Sequence, residues 1–266
     1  MAILCREHNL LYIQVPATGS SVVAKVLREK FGGEQVPAQS IRRDGEMVVS
    51  GPHCTVPELI AHDVLSRDEI GSCLVAANVR NPFDRWTTYY QRRAGEEWIE
   101  RSMGSLRRQL EQERDAYGLS EQEYERRHRA IDEREKGQKK KGRLMRWVGF
   151  NNWMKYTLLR WWWKGSRDSS QGLGEYAFPM LSGVDVAIRQ EQLNEGLNQA
   201  LKIADMGTRV ELPEKNKTRG KKPYTEYYSW TTRLLAEQML ASQMETFGYG
   251  FEGPVDDEGV IFLEET

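Results

Sequence analysis

The sequence predicts an α/β fold, a P-loop-like central parallel β-sheet flanked by helices and interrupted by a charged, largely helical insertion. Three observations predict it. Short apolar runs of strand length stand at residues 10–15, 74–79 and 184–189. Each leads through a brief loop into a helix-periodic segment, the pattern of parallel strands joined by right-handed crossovers, with ligand at their carboxyl ends. Residues 91–175 then depart from the rest in composition. The 266 residues are expected to form one domain, 1–266, with the insertion at about 91–175.

The first strand runs into Pro16-Ala17-Thr18-Gly19-Ser20-Ser21, after which Val22, Val23, Val26 and Leu27 resume at helical spacing. This loop has the chemistry of an anion cradle. Gly19 permits close backbone approach, Thr18, Ser20 and Ser21 carry hydroxyls, and the free N–H groups of the following helix point the same way. The helix dipole adds roughly 0.3–1 kcal/mol for a negative charge. An ordinary connection in which Ser20 or Ser21 caps the helix is equally compatible with this stretch. The loop lacks the GxxxxGK[ST] spacing, since Lys25 lies six residues after Gly19 and is followed by Val26.

The first helix ends near Gly32-Gly33, and a short hairpin or strand is expected around residues 47–49. Thr55 followed three residues later by Glu58 is a capping-box pattern, which opens a helix and sets His53 just before it. An imidazole there can act as a general base near neutral pH, or simply bond backbone at the helix start. The second strand delivers Arg80 to its end, and Pro82 suits the first turn of a helix that brings Arg85, Thr88 and Tyr89 round on neighbouring faces. Arginine with hydroxyl is a phosphate clamp.

VPATGSSVV, followed about sixty residues later by VRNPFDRWTTYY, resembles the PAPS-dependent sulfotransferases, specifically the carbohydrate branch with heparan- and chondroitin-type enzymes and soluble bacterial relatives. The resemblance covers nearly the whole chain outside 91–175. It implies that Ala17, Thr18, Gly19, Ser20 and Ser21 hold the 5′-phosphosulfate of PAPS, that Arg80 and Thr88 hold the 3′-phosphate, that His53 is the general base, and that PAP is the product. The acceptor would be a hydroxyl-bearing molecule, a saccharide among the candidates; the scheme requires no metal. One position departs from the family pattern. A lysine usually follows the loop proline, and here Ala17 stands in its place. Charge growing on the leaving phosphate would need another cation: Arg85, Lys25 or one from the basic loop near residue 219.

Residues 91–147 mix Arg, Glu, Gln and Lys at helical spacing, with breaks expected near Gly104, Gly118 and Gly137. A solvated face is the default for such a stretch, and a lid or acceptor-binding arm is the functional alternative. Residues 147–163, WVGFNNWMKYTLLRWWW, carry aromatics round too much of a helix for a simple surface element, so part packs in a core and part is free to line a cleft or anchor a partner.

The third strand precedes a helix beginning at Glu191. The basic segment LPEKNKTRGKK follows, and by the resemblance Lys217, Thr218 and Arg219 contact PAPS; a solvated loop accounts for the same residues. An amphipathic helix is expected over 224–247, then FGYGF, similar to the family's closing signature, and an acidic tail that is peripheral or forms an edge strand at 260–263.

A net charge of −1 argues against bulk nucleic-acid binding. Cys5, Cys54 and Cys73 show no metal spacing and read as reduced core thiols. Neither a membrane-spanning run nor a signal pattern is evident, and a cytoplasmic protein is expected.

Overall fold

The computed structural model describes residues 2–43, 46–51, 53–165, 179–213 and 222–263. Lys217, Thr218 and Arg219 lie outside the described residues. In chain order the elements are β1 (Ala2–Cys5), β2 (Leu10–Ile13), α1 (Ser20–Lys30), β3 (Glu34–Val36), β4 (Ile41–Arg43), β5 (Glu46–Val49), α2 (Val56–Ala61), α3 (Arg67–Gly71), β6 (Leu74–Val79) and α4 (Pro82–Ala94). They continue with α5 (Glu96–Tyr117), α6 (Glu121–Val148), α7 (Phe150–Gly165), β7 (Val186–Arg189), α8 (Leu193–Ile203), α9 (Trp230–Met239), α10 (Ala241–Thr246) and β8 (Val260–Phe262).

Six strands form one sheet in the order β3-β1-β2-β6-β7-β8. The three strands read from the sequence are its parallel centre, with Ile13 opposite Ala77 and Val79 opposite Arg189. The sheet as a whole is mixed, which corrects the expectation of a parallel one: β1, β3 and β8 add to the flanks antiparallel. The reason is connection length. Only Arg6–Asn9 separate β1 from β2, too short for the crossover that a parallel pair needs.

Strand side chains alternate between two covered faces. Ile3, Leu10, Tyr12, Ala76, Val186 and Ile188 pack under α1 and α8, against Val23, Leu27, Leu197 and Leu201. Leu4, Leu11, Ile13, Val75, Ala77 and Ala187 pack on the other face against Leu59, Leu181, Phe247 and Tyr249. The three parallel strands end on one edge of the sheet, and their following loops meet there.

α4 carries on to Ala94, and α5 and α6 form a helical pair that runs unbroken through Gly104 and Gly137; only the expected break near Gly118 occurs. A glycine inside a helix costs about 1 kcal/mol against alanine, and here ion pairs from Arg107 to Asp132 and Glu135, and from Lys139 to Glu100, tie the two helices together. Gly142 lets α6 approach α4, since a Cβ there would stand 2.9 Å from the Arg93 carbonyl oxygen. α7 divides its aromatics. Phe150, Met154 and Leu158 are buried with Phe83, Tyr228 and Phe251, whereas Tyr156, Trp162 and Trp163 face outward.

The expected single helix over 224–247 is a short turn at Tyr224–Glu226 followed by α9 and α10, broken at Leu240, whose side chain is fully buried. The C-terminal segment is no mere periphery. Asp256 pairs with Arg189, which is 2% exposed and also donates to the Phe247 and Glu258 carbonyls, and β8 closes the sheet edge beside β7.

Candidate functional site

The loop after β2 is fixed by its own hydroxyls. Thr18 Oγ1 and Ser20 Oγ each donate to the Val15 carbonyl oxygen at 2.8 Å. Ala17 and Gly19 take left-handed backbone angles, φ +67° and +79°. At Gly19 the requirement is double, because a Cβ there would also stand 3.1 Å from Leu193 at the start of α8. Gly19 is the residue preceding the first helical turn, and no side chain caps that turn, so the capping alternative for Ser20 or Ser21 is not what the fold adopts. Among the described residues, the N–H groups of Gly19, Ser20 and Ser21 meet no acceptor. Three adjacent donors at a helix start form a concavity for an anion.

β6 supplies the second wall. Asn78, fully buried, donates from Nδ2 to the Thr18 carbonyl at 3.0 Å, while its Oδ1 has no partner among the described residues. Arg80 follows at the strand end and is gripped on two sides. Nη1 donates to the Ala17 carbonyl at 2.9 Å, and Nε and Nη2 donate to Asp84 Oδ2 at 2.8 and 2.5 Å. Asn81 then opens α4: its Oδ1 accepts from the N–H of Phe83, and its Nδ2 donates to the Gly250 carbonyl. The Asn81 N–H itself donates to Glu191, which also accepts from Tyr249 Oη. The carboxyl ends of β2, β6 and β7 are thereby tied to the FGYGF segment.

Between loop and α4 lies a small cavity lined by Val15, Thr18, Arg80, Arg85, Gln243 and Phe247, among others. Its volume of about 20 Å³ admits one ordered water and not a phosphate group. Arg85 lines it with no carboxylate partner among the described residues, and burial first, then the charge of Arg80, lowers the pKa of its guanidinium. Arg92, two turns further on, is similarly lowered by burial and by Arg80, has a buried Nε without a partner among the described residues, and lies 4.4 Å over the Trp98 ring.

The predicted residues are thus only partly gathered. Ala17, Thr18, Gly19, Ser20, Ser21, Arg80 and Arg85 converge. Thr88 is 1% exposed within α4 and is not among the residues lining the cavity. Lys25 sits outside the cavity on α1, 3.5 Å from Glu29, so among the described residues Arg85 is the replacement cation nominated by the sequence that lines the cavity. His53 stands beside the strand leading into the loop, its Nδ1 3.4 Å from the Gln14 carbonyl oxygen. Its ring is exposed by area but hemmed on one side by chain, and the resulting desolvation lowers its pKa against the opposing effect of that carbonyl. Glu58 is occupied in the Thr55 capping box.

Asn78, Asn81, Asp84, Glu191 and Arg92 were not singled out by the sequence. Asn81-Pro82 did carry a signal, a cap residue followed by proline at the first helical position, and Arg80 with Asp84 has the four-residue spacing of a helical ion pair.

A family model described as the sulfotransferase family matches residues 1–246. No curated protein and no solved structure matches the chain.

Proposed function

Because the chain belongs to the sulfotransferase family, we propose that it moves a sulfuryl group from PAPS to an acceptor hydroxyl, releasing PAP. The observation that carries the PAPS reading is Arg85, a half-buried guanidinium beside Arg80 with no described carboxylate partner, sharing a cavity with a loop whose N–H groups have no acceptor among the described residues. Both features fit a ligand with several negative charges, and PAPS carries them. The bound donor supplies an activated sulfuryl group; the residues bind, orient and move protons. The N–H groups of residues 19–21 and the hydroxyls of Thr18, Ser20 and Ser21 receive the 5′ end, with the Thr18 and Ser20 hydroxyls turning away from Val15 as the loop opens. Arg80 takes the 3′-phosphate, and Thr88 joins it once α4 adjusts. Arg85 supplies the positive charge that Ala17 does not. His53, neutral near pH 7, removes the acceptor proton. Lys217, Thr218 and Arg219 are assigned, on chemistry alone, as further phosphate contacts. The acceptor is a hydroxyl compound, with a saccharide favoured by the likeness of the two motifs to the carbohydrate branch.

A second reading rests on Ala17. With no cation directly after the loop proline, the chain would bind PAP or PAPS, or serve as an interaction module, without transferring sulfate. Thermal unfolding with PAP, ADP and ATP in parallel tests both. PAP at a hundredfold excess over its dissociation constant should stabilise by about 2.7 kcal/mol, with little response to ADP. A PAP response without PAP release from PAPS, across saccharide and other hydroxyl acceptors, favours the second reading. No response to any of the three overturns both nucleotide readings.

A further inference from the structure

α7 is buried on one side and apolar on the other. Tyr156, Leu159 and Trp163 fall at i, i+3 and i+7, on a stripe opposite buried Phe150, Met154 and Leu158. With Trp162 at its margin, these side chains are between 53% and 65% exposed. Asn152, on the same stripe, turns its amide back onto the Val148 carbonyl. At about 100° per residue, Lys155 and Arg160 fall on opposite flanks of the stripe. Trp230, 73% exposed, stands next to Thr231, whose hydroxyl accepts from Lys155 Nζ.

The charge along this stretch of chain has one sign. From Lys136 to Arg167 the sequence has ten Lys and Arg and no Asp or Glu, in a chain whose net charge is −1. Carboxylates elsewhere pair with Lys136, Lys139 and Arg146. Among the described residues Lys140, Lys141, Arg143 and Arg160 have no such partner.

We propose that this face of α7 rests on an anionic lipid surface, with Tyr156, Leu159 and Trp163 in the headgroup–acyl boundary and the flanking cations on acidic headgroups. An apolar stripe with tryptophan, bordered by Lys and Arg, is the composition of helices that lie in the interface plane. Two other occupants fit less well. A second copy would bring two same-sign faces together without carboxylates between 136 and 167 to pair them. An acidic polysaccharide would meet a convex ridge with aliphatic Leu159 at its centre and few hydrogen-bonding groups. The association is superficial, since among the described residues no helix is long and apolar enough to cross a membrane.

The test is flotation of the full chain with phosphatidylcholine vesicles, with and without phosphatidylserine, paired with quenching of tryptophan emission by brominated acyl chains. Binding is expected only with phosphatidylserine, with quenching, and should weaken with salt. Lys155→Gln and Arg160→Gln should each reduce partitioning roughly fivefold, and Tyr156→Ser/Leu159→Ser/Trp163→Ser should abolish it while the unfolding midpoint stays within a few degrees. If the triple variant does not fold, the two charge variants carry the test. Absence of binding at low salt, binding without quenching, or concentration-dependent dimerisation removed by the triple change would each overturn the proposal. So would retention on an acidic polysaccharide without vesicle binding.

Discussion

Arg80 Nη1 donates to the carbonyl oxygen of Ala17, 2.9 Å away, and with the Asn78–Thr18 bond it joins the end of β6 to the loop after β2. Asp84 holds the opposite edge of the guanidinium. Lysine cannot span both partners, because an ammonium is a point donor where the guanidinium is a fork. Arg80→Lys is therefore expected to lower stability by about 1–3 kcal/mol, seen as a reduced unfolding midpoint in urea, and to weaken PAP at least tenfold in calorimetry. Unaltered PAP affinity in a folded variant would remove Arg80 from the nucleotide site.

Arg85 should behave in the opposite sense. With no described carboxylate beside it and Arg80 close, its charge is a cost to the free protein. Arg85→Gln is expected to leave the ligand-free protein at least as stable as the parent. PAP should bind it about 10- to 100-fold more weakly, the loss of a charge-assisted hydrogen bond worth roughly 1.5–3 kcal/mol. A destabilised free protein would mean that Arg85 has a structural partner instead.

Gly19 needs both a left-handed backbone and the space now next to Leu193. Gly19→Ala is expected to cost about 1–2 kcal/mol from the backbone alone, measurable by chemical denaturation. PAP affinity should fall with it, because the loop N–H groups would no longer share one direction.

The sequence made the middle of this sheet legible and its edges less so, for a physical reason. Strands covered on both faces are uninterrupted apolar runs, as at residues 74–79, whereas Glu34–Val36 is a short edge strand with a polar pattern. The loop and Arg80 were legible because glycine, hydroxyls and a strand-end arginine are local signals. Asn78 was not: one amide inside an apolar strand has no periodicity. Gln243 and Phe247 reach the cavity from a helix far away in sequence, which no local pattern reports. The misplaced breaks at Gly104 and Gly137 reflect propensity outweighed by cross-helix ion pairs.

Arg189 and Asp256 set a limit on acid stability. Arg189 is 2% exposed, and the hydrogen bond it donates, followed by that of the Glu258 N–H, holds the Asp256 carboxyl below the usual range near 3.8. A depressed carboxylate contributes stability that is present above its unfolded pKa and lost as pH falls through its folded one. Asp256→Asn should therefore destabilise the protein at pH 7 and flatten the fall in stability below about pH 4. The Asp256 side chain is 43% exposed, so solvent screening keeps the loss to about 1 kcal/mol, and the Phe247 and Glu258 carbonyls still hold Arg189. Urea unfolding of both proteins between pH 3 and 7 reads the difference.

His53 makes a prediction on both stability and rate. Desolvation lowers its pKa from the ordinary 6.5, although the Gln14 carbonyl partly offsets that effect. In the folded protein the neutral ring is favoured, so the unfolded chain binds the proton more readily. Stability linked to His53 is complete above the unfolded value and declines as pH falls from there through the folded value. The same neutral ring is the form that accepts a proton. If His53 is the base, kcat/KM for sulfuryl transfer should fall on the acid side with an apparent pKa below 6.5. His53→Asn, which keeps a polar side chain beside Gln14, should lower kcat by roughly 10²- to 10⁴-fold and remove that acid limb, with PAP affinity unchanged. An acid limb that persists in His53→Asn would transfer the role to another group. A tenfold loss of PAP affinity would make His53 a loop support, acting through Gln14 rather than on the acceptor.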